Sequence, residues 1–117
     1  PRNYDSVVEV DTKALIKALE IVKKMNGRDK LAPVIFRHDL GLWVMDRDRN
    51  GQIIDAEISG DFEKEIGFTI TYILDAVRKD QKITRIEFSG PLDPAVIRYP
   101  DSIAVIMPMR IGERRNR

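Results

Sequence analysis

Two segments with helical periodicity stand at matching places in this sequence, each preceded by one strand-like segment and followed by three. That order constrains the fold more than any other feature. In Lys13–Asn26 the residues Leu15, Ala18, Leu19, Val22 and Met25 share one face at helical spacing, and Lys13, Lys17, Glu20 and Lys24 share the opposite one. Asp11 or Thr12 is placed to cap this helix and Gly27 to end it. A second helix is expected over Thr71–Lys79, with Ile73, Leu74 and Val77 inward and Asp75, Arg78 and Lys79 largely outward. Strands are expected at Ser6–Val10, Val34–Arg37, Leu42–Asp46, Gln52–Ile58, Glu65–Ile70, Ile83–Ser89, Ala95–Tyr99 and Ile103–Met107. His38-Asp39-Leu40-Gly41 reads as a hairpin, and Asn50-Gly51 favours a tight turn with positive φ. Pro91, Pro94, Pro100 and Pro108 each remove a ladder donor and belong at turns, edges or strand ends. The result is a duplicated β-α-β-β-β unit whose halves do not visibly repeat in residues. The implied class is α+β, with two helices packed on one face of antiparallel sheets.

The 117 residues fit one domain, drawn here at 1–111. The tail, residues 112–117, carries three arginines and reads as unpacked. Pro1 suits a start left by loss of an initiator Met, and suits an excised domain equally. Twenty basic residues against 19 acidic leave a net charge of +1, so any nucleic-acid contact must come from local arrangement. There is no cysteine, which removes disulfides, thiolate metal sites and cysteine nucleophiles and is compatible with a cytoplasmic protein. No apolar run is long enough to span a membrane, and no signal peptide is visible.

Candidate chemistry is sparse. Asp46-Arg47-Asp48-Arg49-Asn50-Gly51 with Glu57 fits the calcium-loop pattern of an EF-hand, including Ile53 at the apolar position. The flanks, however, read as strands where that motif needs helices, and Arg47 and Arg49 set positive charge beside the cation. A polar hairpin is the expectation, with adventitious calcium binding as its rival. His38 is the only histidine and has no evident triad partners. The carboxylates are scattered and no Gly-rich phosphate loop is present, so no catalytic residue, metal site or cofactor is expected, although a carboxylate pair hidden in the fold stays open.

Two constellations suit binding. Lys13, Lys17 and Lys24 lie in one stripe with Lys23 beside it, and Arg78, Lys79 and Lys82 occupy or follow the second helix. Helices packed side by side would present these cations together, as sequence-independent phosphate contact requires. An ordinary solvated helix face is the plainer reading, and Glu20 and Asp75 dilute the charge. Leu92, Pro94 and the run Val105-Ile106-Met107-Pro108-Met109-Arg110 suit an adaptable groove for short peptides, with alternate residues of the last strand buried.

Four stretches resemble the bacterial sliding clamp, the β subunit of the replicative DNA polymerase. Ile103-Ala104-Val105-Ile106-Met107-Pro108-Met109-Arg110-Ile111 is similar to the family's carboxy-terminal Met-Pro-Met-Arg-aliphatic ending. Ile66-Gly67-Phe68-Thr69-Ile70-Thr71-Tyr72-Ile73-Leu74-Asp75-Ala76 is similar to its Gly-Phe-Asn-aliphatic-x-Tyr-aliphatic-Leu-Asp stretch. Phe88-Ser89-Gly90-Pro91-Leu92-Asp93-Pro94-Ala95-Val96-Ile97 resembles its Phe-x-Asp-Pro-aliphatic-x-Pro segment, and Val10-Asp11-Thr12-Lys13-Ala14-Leu15 the start of the domain's first helix. The four occur in family order across Val8–Ile111.

The resemblance implies a non-enzymatic DNA-clamp domain of a bacterial, nucleoid-associated processivity factor. It implies that the cations Lys13, Lys17, Lys24, Arg78, Lys79 and Lys82 face duplex DNA. It further implies that Leu92, Pro94 and Val105–Arg110 match groove positions where replicative and repair polymerases or the clamp loader dock short linear motifs. The chain departs from the family in having one domain where clamps have three, resembling the third. The groove wall supplied by the second domain is therefore absent, and further clamp domains or self-association would be needed to encircle DNA. Thr69 stands where Asn is frequent, and the Arg-rich tail runs beyond the usual ending. A stand-alone clamp-like regulatory module and a calcium module remain the alternatives.

Overall fold

The computed structural model describes residues 6–60 and 65–111. The expected arginine tail, residues 112–117, lies outside the described residues. The elements are β1 (Ser6–Asp11), α1 (Thr12–Met25), β2 (Pro33–His38), β3 (Leu42–Met45), β4 (Gly51–Ile54), β5 (Ala56–Gly60), β6 (Ile66–Thr69), α2 (Ile70–Ala76), β7 (Ile83–Phe88), β8 (Ala95–Arg98) and β9 (Ile103–Ile106).

They build two antiparallel sheets, β5-β1-β7-β8-β9 and β4-β3-β2-β6. The duplication is visible as an exchange. The meander β2-β3-β4 of the first half is extended by β6, the opening strand of the second half. The meander β7-β8-β9 of the second half is extended by β1, the opening strand of the first. Each sheet therefore takes strands from both halves, and the two halves interlock. The inner faces of both sheets meet α1 and α2 in one core. Phe36, Phe68 and Phe88 form its centre, with ring centroids 5.9, 6.1 and 6.2 Å apart, and Phe88 ties the first sheet to the second.

Three expectations need correction. Gln52–Ile58 is not one strand. It breaks at Asp55, with β4 pairing β3 in one sheet and β5 pairing β1 in the other. Ile54, Ala56 and Ile58 keep facing the core through the crossing, which is why the alternation conceals it. The second helix ends at Ala76, because Val77 is extended at φ −83, ψ 118. The β3–β4 turn does have positive φ, but at Arg49 (φ 66) and not at Asn50-Gly51.

Helix α1 follows its pattern closely. The Asp11 carboxylate accepts from the Ala14 N–H at 3.0 Å, and Gly27 adopts φ +64 just past the end. Leu15, Ala18, Leu19 and Val22 are buried, while Met25 in the last turn is exposed.

Candidate functional site

The outer face of α1 borders a cleft of ≈ 540 Å³ lined by Thr12, Lys13, Ile16, Lys17, Glu20, Ile21, Lys24 and Lys79. A second cleft, between α1 and α2, takes in Lys23, Gly27, Leu74 and Asp75 and shares Ile16, Glu20, Lys24 and Lys79 with the first. Lys13, Lys17 and Lys24 of α1 and Lys79, which follows α2, thus line one surface. Glu20 and Asp75 interrupt it. Lys82 lines neither cleft; its carbonyl accepts from the Thr12 N–H at 3.0 Å, which fixes the loop after α2 to the start of α1.

Arg78 stands apart from the lysines. Its guanidinium bonds Asp80 at 2.9 Å and Asp101 at 3.0 Å and lies 4.9 Å from the centroid of the Tyr99 ring. Hydrogen bonds to these two carboxylates hold its pKa above the usual arginine value, and the Arg78 bond holds Asp80 below the carboxylate range. Its charge is already answered within the chain.

The apolar constellation lies at the far end of the first sheet. The β8–β9 register sets Ala95 opposite Ile106 and Val96 opposite Val105, so Pro94 enters the strand beside β9. Alternation sends Ile103, Val105 and Met107 to the outer face, with Val105 55% and Met107 64% exposed. Ile106 is 4% exposed and packs into the core, so of the eight groove candidates it supports the surface from beneath. Leu92 is exposed in the β7–β8 loop, and Arg110 is exposed. Strand pairing in β9 stops at Ile106, two residues before Pro108, but Met109 is half-buried and does not stand free. Its N–H donates to the Gly67 carbonyl at 2.8 Å, and its sulfur accepts from the Thr69 hydroxyl at 3.7 Å. The chain leaves one sheet at Pro108 and bridges to β6 of the other.

Residues 1–110 match the family model described as DNA polymerase III beta subunit, C-terminal domain. The chain belongs to that family. No curated protein matches it. The fold is that of solved sliding clamps. A DNA polymerase sliding clamp from Bacillus subtilis superposes with a TM-score of 0.80 at 22% identity over 94% of this chain and 32% of that one. A putative DNA polymerase III beta subunit from Eubacterium rectale gives 0.80 at 22% over 92% and 31%. A sliding clamp from Pseudomonas aeruginosa gives 0.78 at 24% over 94% and 32%. This chain thus spans about a third of the length of those clamp chains. The clamp family is non-enzymatic.

In this clamp domain the calcium-like loop is a hairpin. Asp46 Oδ1 accepts from the Asp48 and Asn50 N–H groups, each at 2.9 Å, so this carboxylate oxygen closes the turn on the backbone. Arg49 turns away to bond Glu65 at 2.6 Å. Glu57 sits in β5, in the other sheet, opposite Glu9. No helix of the described residues is long and apolar enough to cross a membrane.

Sequence reasoning omitted Ile103, which shares the exposed face of Val105 and Met107; the same alternation that placed those two would have found it. It also omitted Ile16, which floors both clefts, and Tyr99, whose role depends on a contact 23 residues away.

Proposed function

We propose that this clamp domain acts as a processivity scaffold. It contacts duplex DNA without sequence preference through Lys13, Lys17, Lys24 and Lys79, and it docks short linear peptides of polymerases, repair proteins or a clamp loader along β9. The domain occupies residues 1–111 and works in the bacterial cytoplasm, alongside further clamp domains or other copies of itself. The observation that carries the reading is the division of labour along β9. Ile106 anchors the strand, while Val105 and Met107 hold an apolar, adaptable face outward beside Pro94. An exposed apolar strip ending in a methionine-proline turn is costly to display in water and suits intermittent occupancy by differing partners.

Chemical-shift mapping with a short peptide carrying a Gln and a downstream Leu-Phe pair tests the proposal. Shifts should gather at Leu92, Pro94, Ile103 and Val105–Arg110 with weak affinity, since one domain supplies part of a groove and ordering the peptide opposes binding. Shifts confined to the helices, or none at millimolar peptide, would refute the docking role.

A further inference from the structure

We infer that Tyr99 is a positioning residue for the lysine face. Its hydroxyl ends α2 at Ala76 and so sets Lys79 beside Lys24, while Arg78 serves as a strut and not as a phosphate contact. The inference rests on the DNA-facing reading of the lysines and names what holds one of them in place.

The amphipathic pattern of α2 continues through Val77, Arg78 and Lys79, yet the helix stops at Ala76. At that point the buried Tyr99 hydroxyl donates to the Ala76 carbonyl and accepts from the Arg78 N–H at 3.0 Å. One side-chain oxygen thereby satisfies a carbonyl and an amide that a further helical turn would have used. The Arg78 side chain then folds back over the Tyr99 ring and spans Asp80 and Asp101. Asp101 belongs to the β8–β9 turn, which is itself closed by the Tyr99 N–H on the Ser102 carbonyl at 2.9 Å. Four residues after Arg78, the Lys82 carbonyl is held by Thr12. The loop is tied at both ends, and Lys79, between the ties, lines the clefts with Lys24. Two carboxylates answer the one positive charge of Arg78, so a phosphate gains little by approaching it. Lys79 keeps its charge for the cleft.

The test measures duplex DNA affinity of the full chain against salt for the parent, Lys79→Gln, Tyr99→Phe, the double variant and Lys17→Glu. Each phosphate contact contributes about 0.9 to the slope of log affinity on log salt. Lys79→Gln should lower the slope by about one contact. Tyr99→Phe should do the same although it removes no charge, and the double variant should lose no more than either single one. The Arg78 amide resonance should shift in Tyr99→Phe. Should Tyr99→Phe fail to fold, Arg78→Gln replaces it: with the strut removed, the double variant with Lys79→Gln should lose no more than Lys79→Gln alone, whereas additive losses would make Arg78 a direct phosphate contact. Additive losses, or an unchanged slope in Tyr99→Phe, overturn the inference while leaving the DNA reading intact if Lys17→Glu still weakens binding. An unchanged affinity in Lys17→Glu overturns both.

Discussion

Gly67 in β6 carries no side chain where Ile111, at the end of the described chain, packs against it; a β-carbon on Gly67 would overlap Ile111 Cγ2. With the Met109 N–H donating to the Gly67 carbonyl, this contact straps the carboxy-terminal segment, which has just left the first sheet, onto the edge of the second. The two sheets are thus joined at opposite corners, by the chain crossing at Asp55 and by this strap.

Gly67→Ala should therefore destabilise the domain by about 1–3 kcal/mol, the usual range for forcing atoms into a filled site. Ile111→Ala should cost less, because Ile111 is only half-buried. The double variant should be more stable than the sum of the singles predicts, since truncating Ile111 makes the room that the new methyl needs. Urea unfolding of the four proteins measures the coupling, and strict additivity would show that the strap does not close on Gly67.

A buried carboxylate on the outer face of the first sheet contributes to the acid limb of stability. Glu87 is 3% exposed and accepts from Arg98 at 2.8 and 2.9 Å and from Arg85 at 3.1 Å. Hydrogen bonding from Arg98 chiefly, then from Arg85, outweighs burial and holds its pKa below the ordinary value of 4.5. A depressed folded pKa contributes stability that is complete above 4.5 and disappears as pH falls through the lowered value. Glu87→Gln should be less stable than the parent at neutral pH by about 1–3 kcal/mol, and the gap should narrow on acidification. Thermal midpoints measured from pH 7 downward would disprove this if the gap stayed constant below 4.5.

The Asp46 hairpin makes opposite forecasts for stability and for metal. Asp46→Ala removes two hydrogen bonds to backbone N–H groups and should cost about 1–2 kcal/mol. Calorimetric titration with calcium should give no binding in the parent. Micromolar binding that vanished in Asp46→Ala would reverse the assignment.

What the sequence made legible follows from which interactions are local. Helix α1 was readable because Asp11, the apolar stripe and Gly27 act within one segment. The β-α-β-β-β duplication was readable because strand and helix periods alternate cleanly. The Asp55 crossing was not, since Ile54, Ala56 and Ile58 keep one inward alternation while their backbone partners change from β3 to β1. The end of α2 was hidden for a different reason. Nothing within α2 stops it; the Tyr99 hydroxyl arrives from the residue that follows β8, 23 positions on. Similarly, Lys13, Lys17 and Lys24 were placed by α1 periodicity, whereas the withdrawal of Arg78 depended on Asp101, distant in sequence. The exchange of β1 and β6 between the halves rests entirely on such distant pairing.

The closing forecast separates the two faces of β9. Ile106 and Met107 are neighbours in sequence and face opposite ways, one into the core and one outward. Ile106→Ala leaves a cavity beneath the sheet and should cost about 2–4 kcal/mol of unfolding free energy. Any loss of peptide affinity in that variant should follow from the lost folded population. Met107→Ala removes a side chain that water already reaches, so its stability should remain within about 0.5 kcal/mol of the parent. Peptide affinity should nevertheless fall several-fold, because Met107 would be covered only in the complex. Val105→Asp should abolish docking while the helices keep their spectra, since a carboxylate on that face would have to be desolvated without a partner to admit an apolar peptide. Paired denaturation and peptide titrations on these three variants decide the matter. If Met107→Ala and Val105→Asp bind peptide as the parent does while Ile106→Ala is merely unstable, the exposed side of β9 is not the docking surface.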